Sequence, residues 1–510
     1  MTVPHAAVVA TRPDAIRVSP ADDVAVATRS LGAGETILVD GEPLTMVLDV
    51  PAGHKVALRD VAPGAAIAKY GFPIGRATTA IRRGEWVHAH NLRTRLEGVE
   101  SYTWSPRPAT DRAEAPREMP TFQGYRRDDG RVGTRNEVWV LNTVGCVNFI
   151  ADGVARLSDE RFRGAVDGVH AFGHPFGCSQ LGDDLKNTQR ILAGLLAHPN
   201  AGGVLVLGLG CENNQMDDLL AMAGDVDRSR LRYFNTQDVV DERETALAAI
   251  AELVARMEHD RREETPASAL IIGNKCGGSD GFSGISANPL VGRVADRLTA
   301  LGGGVILTEV PEMFGAEQVL MDRAADRGVY DQVVAMVNDF KDYFVRHGQP
   351  IHENPSPGNK AGGLTTLEEK SLGAIQKGGV RAPVTRVLRY GERATAGGLS
   401  LLEAPGNDGV SSTAMTASGA TLLLFTTGRG TPLGFPVPTI KVSSNSEIAA
   451  KKPHWIDFNA GTLLDGSATA EQLADELFAY VLDVASGRKL TNNEQHGHRE
   501  ISIWKEGVTL

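Results

Sequence analysis

ETALAAIAELVARMEHDRRE, residues 244–263, stands between two short apolar runs, LRYFNT (231–236) and SALIIGN (268–274), and this order decides the fold. In the long segment apolar residues recur at three- and four-residue spacing with charges on the other face, which predicts an amphipathic helix. The short runs read as strands. The alternation continues outward through VWVLNTV (138–144), GVHAFG (168–173), LKNTQRILAGLLAH (185–198), GGVLVLGL (202–209) and GGVILTE (303–309). Strand and helix alternating at this spacing predict a parallel sheet with covering helices. The pattern resumes at Val384 with VTRVLRYG, GLSLLEAP, TLLLFTTG and PTIKVSS, and a last helix, AEQLADELFAYVLDVASG (470–487), closes it.

The beginning of the chain reads differently. After a loose tail of about a dozen residues, short strand-like pieces such as VAVATRSL, GETILVD, HKVALRDV and EWVHAHNL follow, punctuated by Gly, Pro and Asp. The expected class is therefore α/β: a small, mostly-β N-terminal domain (14–96), an extended linker (97–120) rich in Pro, Arg and Glu, and a large parallel-sheet α/β region in two subdomains (121–383 and 384–510).

Bulk properties narrow the function. The 510 residues carry a net charge of -11, which speaks against a phosphate-tracking surface and hence against nucleic acid. No apolar run is long enough to span a bilayer, and no signal-peptide pattern opens the chain, so a cytoplasmic protein without a membrane partner is expected. The 4 cysteines do not form a disulfide framework.

Their positions are more informative. Cys146, Cys178, Cys211 and Cys276 each fall at or just after the end of an expected strand. Strand ends of a parallel sheet share one edge, where ligands bind. Thiolates there suit iron or an iron–sulfur cluster, although the C-x-x-C spacing of a specific site is absent, and burial as ordinary packing residues is the competing reading. The same loops carry His174, Ser179, Gln180, Asp183 and Asp184; Glu212, Asn213 and Asn214; Lys275, Ser279 and Asp280; and Glu309 and Glu312. GLGCENN (208–214) lacks the third glycine of a dinucleotide fingerprint, which disfavours nicotinamide binding.

A second candidate lies in the small domain. His88 and His90 are two apart on a strand and share a face, and His54 lies earlier, so neutral imidazoles could hold a divalent metal. Two Gly-rich loops, PGNKAGG (357–363) and TGRGTP (427–432), add Asn359, Lys360 and Arg429, with Lys370 close behind. Arg429 can pair with a carboxylate through two hydrogen bonds.

These motifs carry a resemblance. VGTRNEVWVLNTVGCVN (132–148), GCSQLGDD (177–184), VLVLGLGCENNQ (204–215), CGGSDGFSGISANP (276–289), LTEVPEMFGAEQVLMD (307–322), ENPSPGNKAGGLTTLEEKSLG (353–373), TTGRGTP (426–432) and IWKEGVTL (503–510) resemble the altronate/galactarate dehydratase family. DDVAVA (22–27), GHKVAL (53–58), KYGFPIG (69–75) and HAHN (88–91) are similar to its N-terminal SAF domain. The resemblance implies a hydro-lyase that converts a sugar acid, first D-altronate, to a 2-keto-3-deoxy acid with Fe2+ or another divalent ion such as Mn2+. Galactarate dehydration and a sulfolactate-type sulfo-lyase are the alternatives within the family, and a non-catalytic sugar-acid-binding protein is the alternative outside it. The partner expected is the small-molecule substrate, with a homo-oligomer left open.

Loss of the C2 proton from such a substrate leaves an enediolate that needs a cation beside it, together with a base and an acid. The expected acid–base candidates are His174, Lys360 and Lys370. Arg429, Ser279, Asp280 and Asn359 are expected to bind substrate. The metal ligands are expected to be His54, His88 and His90, or alternatively Cys146, Cys178, Cys211 and Cys276.

Overall fold

The computed structural model describes residues 12–106 and 118–510. The expected tail, apart from Arg12, and residues 107–117 of the expected linker lie outside the described residues.

The small domain is built from short antiparallel strands. Ala15–Ile16, Val24–Ala27, Lys55–Ala57 and Trp86–Val87 form one sheet in that order. Two hairpins flank it, Thr36–Val39 with Glu42–Thr45 and Ala66–Lys69 with Phe72–Ala77. Each hairpin turns through two residues of positive φ, Asp40 (52°) with Gly41 (85°) and Tyr70 (62°) with Gly71 (79°). That geometry matches the right-handed strand twist and explains the Asp-Gly and X-Gly pairs.

The rest is two parallel sheets and a short antiparallel one in the order Val132–Gly133, Thr121–Arg126, Glu263–Pro266. The smaller parallel sheet has four strands in the order Val169–Phe172, Glu137–Asn142, Ala201–Gly208, Leu231–Asn235. The larger has seven, in the order Val384–Leu388, Gly398–Leu402, Gly304–Leu307, Ile271–Cys276, Leu422–Thr427, Thr439–Ser443, Phe458–Asn459. The α/β class is as expected. The break between sheets, however, falls between Asn235 and Ile271, whereas residues on both sides of 383/384 contribute to the seven-stranded sheet. Ile271–Cys276 is buried along almost its whole length and is the centre of the larger sheet, with one neighbour from before residue 383 and the other from after it.

Helices Gly182–Leu196 and Asp408–Ala417 join the two sheets. Gly194 lies so close to Ala417 that a Cβ would collide with the Ala417 carbonyl oxygen. One apolar core runs through this contact, from Trp139 and Leu141 to Leu423 and Phe425. A second core combines small-domain residues such as Ile67, Ile74 and Val87 with Leu290, Leu367 and Leu372 of the α/β region. The small domain is therefore packed onto the larger sheet's surroundings. Among the described residues, no helix is long and apolar enough to cross a membrane.

Candidate active site

Lys275 and Cys276 end the central strand of the seven-stranded sheet. The neighbouring strand Gly304–Leu307 leads to Glu309, whose φ of 67° is left-handed. A non-glycine residue held there costs about 1–3 kcal/mol, and such positions cluster at functional sites. The turn Val310–Glu312 then returns Glu312 to the same edge. Helix Leu367–Ala374 brings Lys370, the turn Ile375–Gly378 brings Lys377, and Asp408 opens helix Asp408–Ala417.

These side chains form one buried network. Lys377 Nζ donates to Cys276 Sγ at 2.8 Å and to Glu309 Oε2 at 2.6 Å. Lys275 Nζ pairs with Glu309 Oε1 and, at 2.9 Å, with Asp408 Oδ1. Lys370 Nζ lies 2.8 Å from Glu312 Oε1 and donates to Asn354 Oδ1 at 3.0 Å and Asn359 Oδ1 at 3.1 Å. The Cys276 thiol donates to Glu312 Oε2 at 3.5 Å. Asp408, 35% exposed, is the member that meets solvent.

Burial alone would strip the protons from Lys275 and Lys377. The charges of Asp408 and Glu309 outweigh it at Lys275, and Cys276 and Glu309 outweigh it at Lys377, so both stay above the ordinary lysine range. Burial, reinforced by the Glu309 charge, pushes the Cys276 thiol up to about 11. At Glu312 the burial penalty is overcome by Lys370 and Lys275, and its carboxyl falls to about 2. The network thus presents ammonium groups, carboxylates and a neutral thiol in a dry setting, where charges stabilise an anion far better than in water.

Cys276, Glu309 and Glu312 each offer one ligand atom within 4.8 Å of the others, and no other group of at least 3 such residues does so among the described residues. A sulfur with two carboxylates at this reach could hold a metal ion. Each donor is already engaged by an ammonium, so an ion would enter by displacing lysine contacts.

The expected substrate ligands are close by but differ in availability. Asn359 bridges Lys370 and the Ser279 carbonyl, to which its Nδ2 donates at 2.8 Å. The Asp280 carboxylate is filled by donors: Ser283 Oγ at 2.8 Å, Ser444 Oγ at 2.8 Å, Asn445 Nδ2 at 3.0 Å and the Ser283 and Phe282 amides. Asp280 ties its own Gly-rich loop to the Ser444–Asn445 turn, and its carboxylate oxygens are occupied by these donors. Arg429 is exposed, and Lys360 is half-buried.

In the small domain, the His54 and His88 rings meet with centroids 4.9 Å apart, and Trp86 stacks on His88 at 5.3 Å. His54 Nδ1 accepts from Trp86 Nε1 at 3.2 Å and its Nε2 faces the Ala361 carbonyl at 3.3 Å. Both nitrogens are committed, so His54, His88 and His90 do not assemble as a set of three ligand atoms. His88 Nδ1 is buried without a partner. Burial, with the charge of Lys55, lowers the His88 pKa to about 4. Behind these rings, Lys55 Nζ and Lys69 Nζ both lie 2.8 Å from the Glu369 carboxylate, which also accepts from the Thr365 amide at 2.9 Å.

The remaining expected residues stand at the end of the four-stranded sheet. His174 is buried; its Nε2 faces the Asn142 carbonyl at 2.8 Å and its Nδ1 accepts from the Phe176 amide at 3.2 Å. Burial lowers its pKa, and with both nitrogens on backbone groups it shapes the loop and has no free nitrogen for proton transfer. Cys146, Cys178 and Cys211 are exposed there, whereas Cys276 is buried in the other sheet. The four thiols therefore do not form one set. Sequence reading missed Lys377 and Asp408. The strand-end rule applied after Gly398–Leu402 would have found Asp408, but Lys377, in IQKGG, carries no comparable signal.

Three family profiles match the chain in succession: "Altronate/galactarate dehydratase SAF domain" over 13–95, "D-galactarate dehydratase/Altronate hydrolase, second domain" over 124–258, and "D-galactarate/Altronate dehydratase, C-terminal" over 267–509. The chain is 50% identical over 503 residues to the altronate dehydratase of Escherichia coli (strain K12), covering 97% of this chain and 99% of that protein. It is 48% identical over 497 residues to the altronate dehydratase of Bacillus subtilis (strain 168), with the same coverage of 97% and 99%. Galactarate dehydratase (L-threo-forming) of Escherichia coli (strain K12) is 35% identical over 507 residues, with 96% of each chain covered.

Proposed function

The chain belongs to the altronate/galactarate dehydratase family, and from that premise we propose that it is a cytoplasmic hydro-lyase that converts D-altronate to 2-keto-3-deoxy-D-gluconate. The observation that carries the site assignment is the buried Lys275, Lys370 and Lys377 network with Glu309, Glu312 and Cys276.

The chemistry explains the residue types. A sugar-acid carboxylate entering past Asp408 exchanges that carboxylate for its own on Lys275. Removing the C2 proton builds negative charge on the substrate carboxylate oxygens, and the preorganised ammonium groups oppose that charge without reorganising. Glu309, held by two lysines on a strained backbone, is placed to take the proton. Lys377, hydrogen-bonded to Glu309 and kept protonated, is placed to give one to the departing C3 hydroxyl. Lys370 orients Glu312 and Asn359. A divalent ion held by Cys276, Glu309 and Glu312 would supply Lewis-acid stabilisation of the same oxygens.

The test is a substrate panel of D-altronate, galactarate, mannonate and sulfolactate, with and without added Fe2+, assayed for 2-keto acid and, for sulfolactate, for sulfite. Turnover of D-altronate is expected. Turnover of galactarate or sulfolactate alone would replace the substrate, and ligand-induced stabilisation without any product would replace the enzyme reading by a binding one.

A further inference from the structure

Cys146, Cys178 and Cys211 take no part in the network above, yet the fold gathers them. Their strands are neighbours, with Glu137–Asn142 in the middle and Val169–Phe172 and Ala201–Gly208 on either side. Adjacent strands lie about 4.8 Å apart, so the three following loops start within about 10 Å of one another. Those loops are then knitted together. The Gly145 amide donates to the Phe176 carbonyl at 2.9 Å, and the Asn214 amide to the Gly177 carbonyl at 2.9 Å. Asn214 Nδ2 reaches the Thr143 carbonyl at 2.9 Å, and the Ser179 amide donates to Asn213 Oδ1 at 2.8 Å. The Cys178 loop therefore crosses over the Cys146 loop to reach the Cys211 loop.

The backbone is shaped to present these thiols. Cys178 lies between Gly177 (φ 104°) and Ser179 (φ 57°), and Cys211 follows Gly210 (φ 124°). Left-handed Ser179 is a strained position of the kind that persists at ligand sites. Gly177 allows no side chain, because a Cβ would collide with the Thr143 carbonyl. Beneath the rim, Gln180 Nε2 and Asn214 Oδ1 are buried without partners. All three cysteines are exposed.

We propose that Cys146, Cys178 and Cys211 hold a [4Fe–4S] cluster with one iron left free of protein thiolate. A mononuclear ion needs its sulfurs on one tetrahedron with metal–sulfur bonds of about 2.3 Å. The three thiols do not lie within 4.8 Å of one another, since they form no such group among the described residues. A cluster places each thiolate on a different iron and takes the wider spacing. Uptake is ligand exchange: three protein S–H protons pass to the thiolates that leave the cluster as three Fe–S(Cys) bonds form, with no change of oxidation state. The site goes beyond the dehydration proposed above and does not rest on it.

The probe is a preformed [4Fe–4S] cluster carried on small-molecule thiolates, offered anaerobically to the full chain. The desalted protein is expected to retain about four irons and about four acid-labile sulfides per chain with cluster absorbance. Cys276→Ser should retain them too, whereas Cys146→Ser, Cys178→Ser and Cys211→Ser should lose most of the sulfide while keeping the wild-type circular dichroism. Alkylation mapped by mass spectrometry should find these three cysteines modified in the cluster-free chain and protected in the loaded one. Absence of retained sulfide in the wild type, metal bound without sulfide, or loading unaffected by the three substitutions would each overturn the proposal.

Discussion

Glu369→Gln removes the one carboxylate that two buried lysines share. Lys55, Lys69 and Glu369 have side chains 0–1% exposed, and both ammonium nitrogens are 2.8 Å from the carboxylate. Removing one partner from a buried pair costs about 3–5 kcal/mol, because the remaining charge stays desolvated. Here two charges remain. Lys55 sheds its proton most readily, since burial, only partly offset by Glu369, already lowers its pKa to about 8. Each unit by which a lysine's folded pKa falls toward the assay pH costs about 1.4 kcal/mol, and the cost stops growing once the side chain is neutral. A loss of about 4 kcal/mol is expected at pH 7.5, located where the small domain meets helix Leu367–Ala374. Native-state hydrogen exchange of strand Lys55–Ala57 measures it locally, which suits a chain of several cores. The sign with pH is fixed. In the variant both lysines have folded pKa values below their unfolded ones, so the unfolded state binds more protons between them and stability rises with pH. The deficit should shrink as pH rises from about 8 to about 10.4. In the wild type, Glu369 is held near 2 by Lys55 and Lys69 against the pull of burial, so its contribution is present above about 4.5 and fades as pH falls toward about 2. A deficit under about 1 kcal/mol, or one that grows with pH, would refute the reasoning.

Three further outcomes are expected. Lys377→Met should lower kcat/KM on the turned-over sugar acid by about 10²–10³ with unchanged circular dichroism, and wild-type kinetics would remove Lys377 from the reaction. His198, fully buried with Nδ1 accepting from the Asn200 amide and Nε2 facing the Ala420 carbonyl, has its pKa lowered by burial to about 3; its stability contribution should be intact above about 6.5 and lost as pH falls toward 3, and an imidazole resonance titrating near 6.5 would contradict this. Gly84→Ala, whose Cβ would collide with the Thr45 carbonyl, should cost about 2–4 kcal/mol, whereas Gly34→Ala, at similar φ with open space around it, should cost about 1 kcal/mol; equal losses in thermal unfolding would show that φ alone matters.

The strands were legible because their apolar runs are short and most are buried along their length. GLSLLEAP contains Gly398–Leu402 and TLLLFTTG contains Leu422–Thr427 almost residue for residue. Sheet membership was not legible, since hydrophobic pattern says nothing about which run lies beside which. The strand-end rule placed Cys276, Glu309 and Glu312 at the right kind of location. It could not foresee that Lys377 would approach from a turn about a hundred residues later in the chain, or that backbone carbonyls and amides would occupy both nitrogens of His174. Ring nitrogens and ammonium groups look alike in a sequence whether they face a ligand or a neighbouring loop.

The lysine pair of the small domain also has a consequence for synthesis. Lys55 and Glu369 are 314 residues apart, so on a ribosome adding about 5–20 residues per second the N-terminal domain emerges roughly 15–60 s before its counter-charge exists. During that interval both ammonium groups keep their water, and the small domain cannot take its final seat. Nascent chains stopped short of residue 369 should therefore carry a small domain that proteases cut readily, and protection should arrive in one step once helix Leu367–Ala374 has left the exit tunnel.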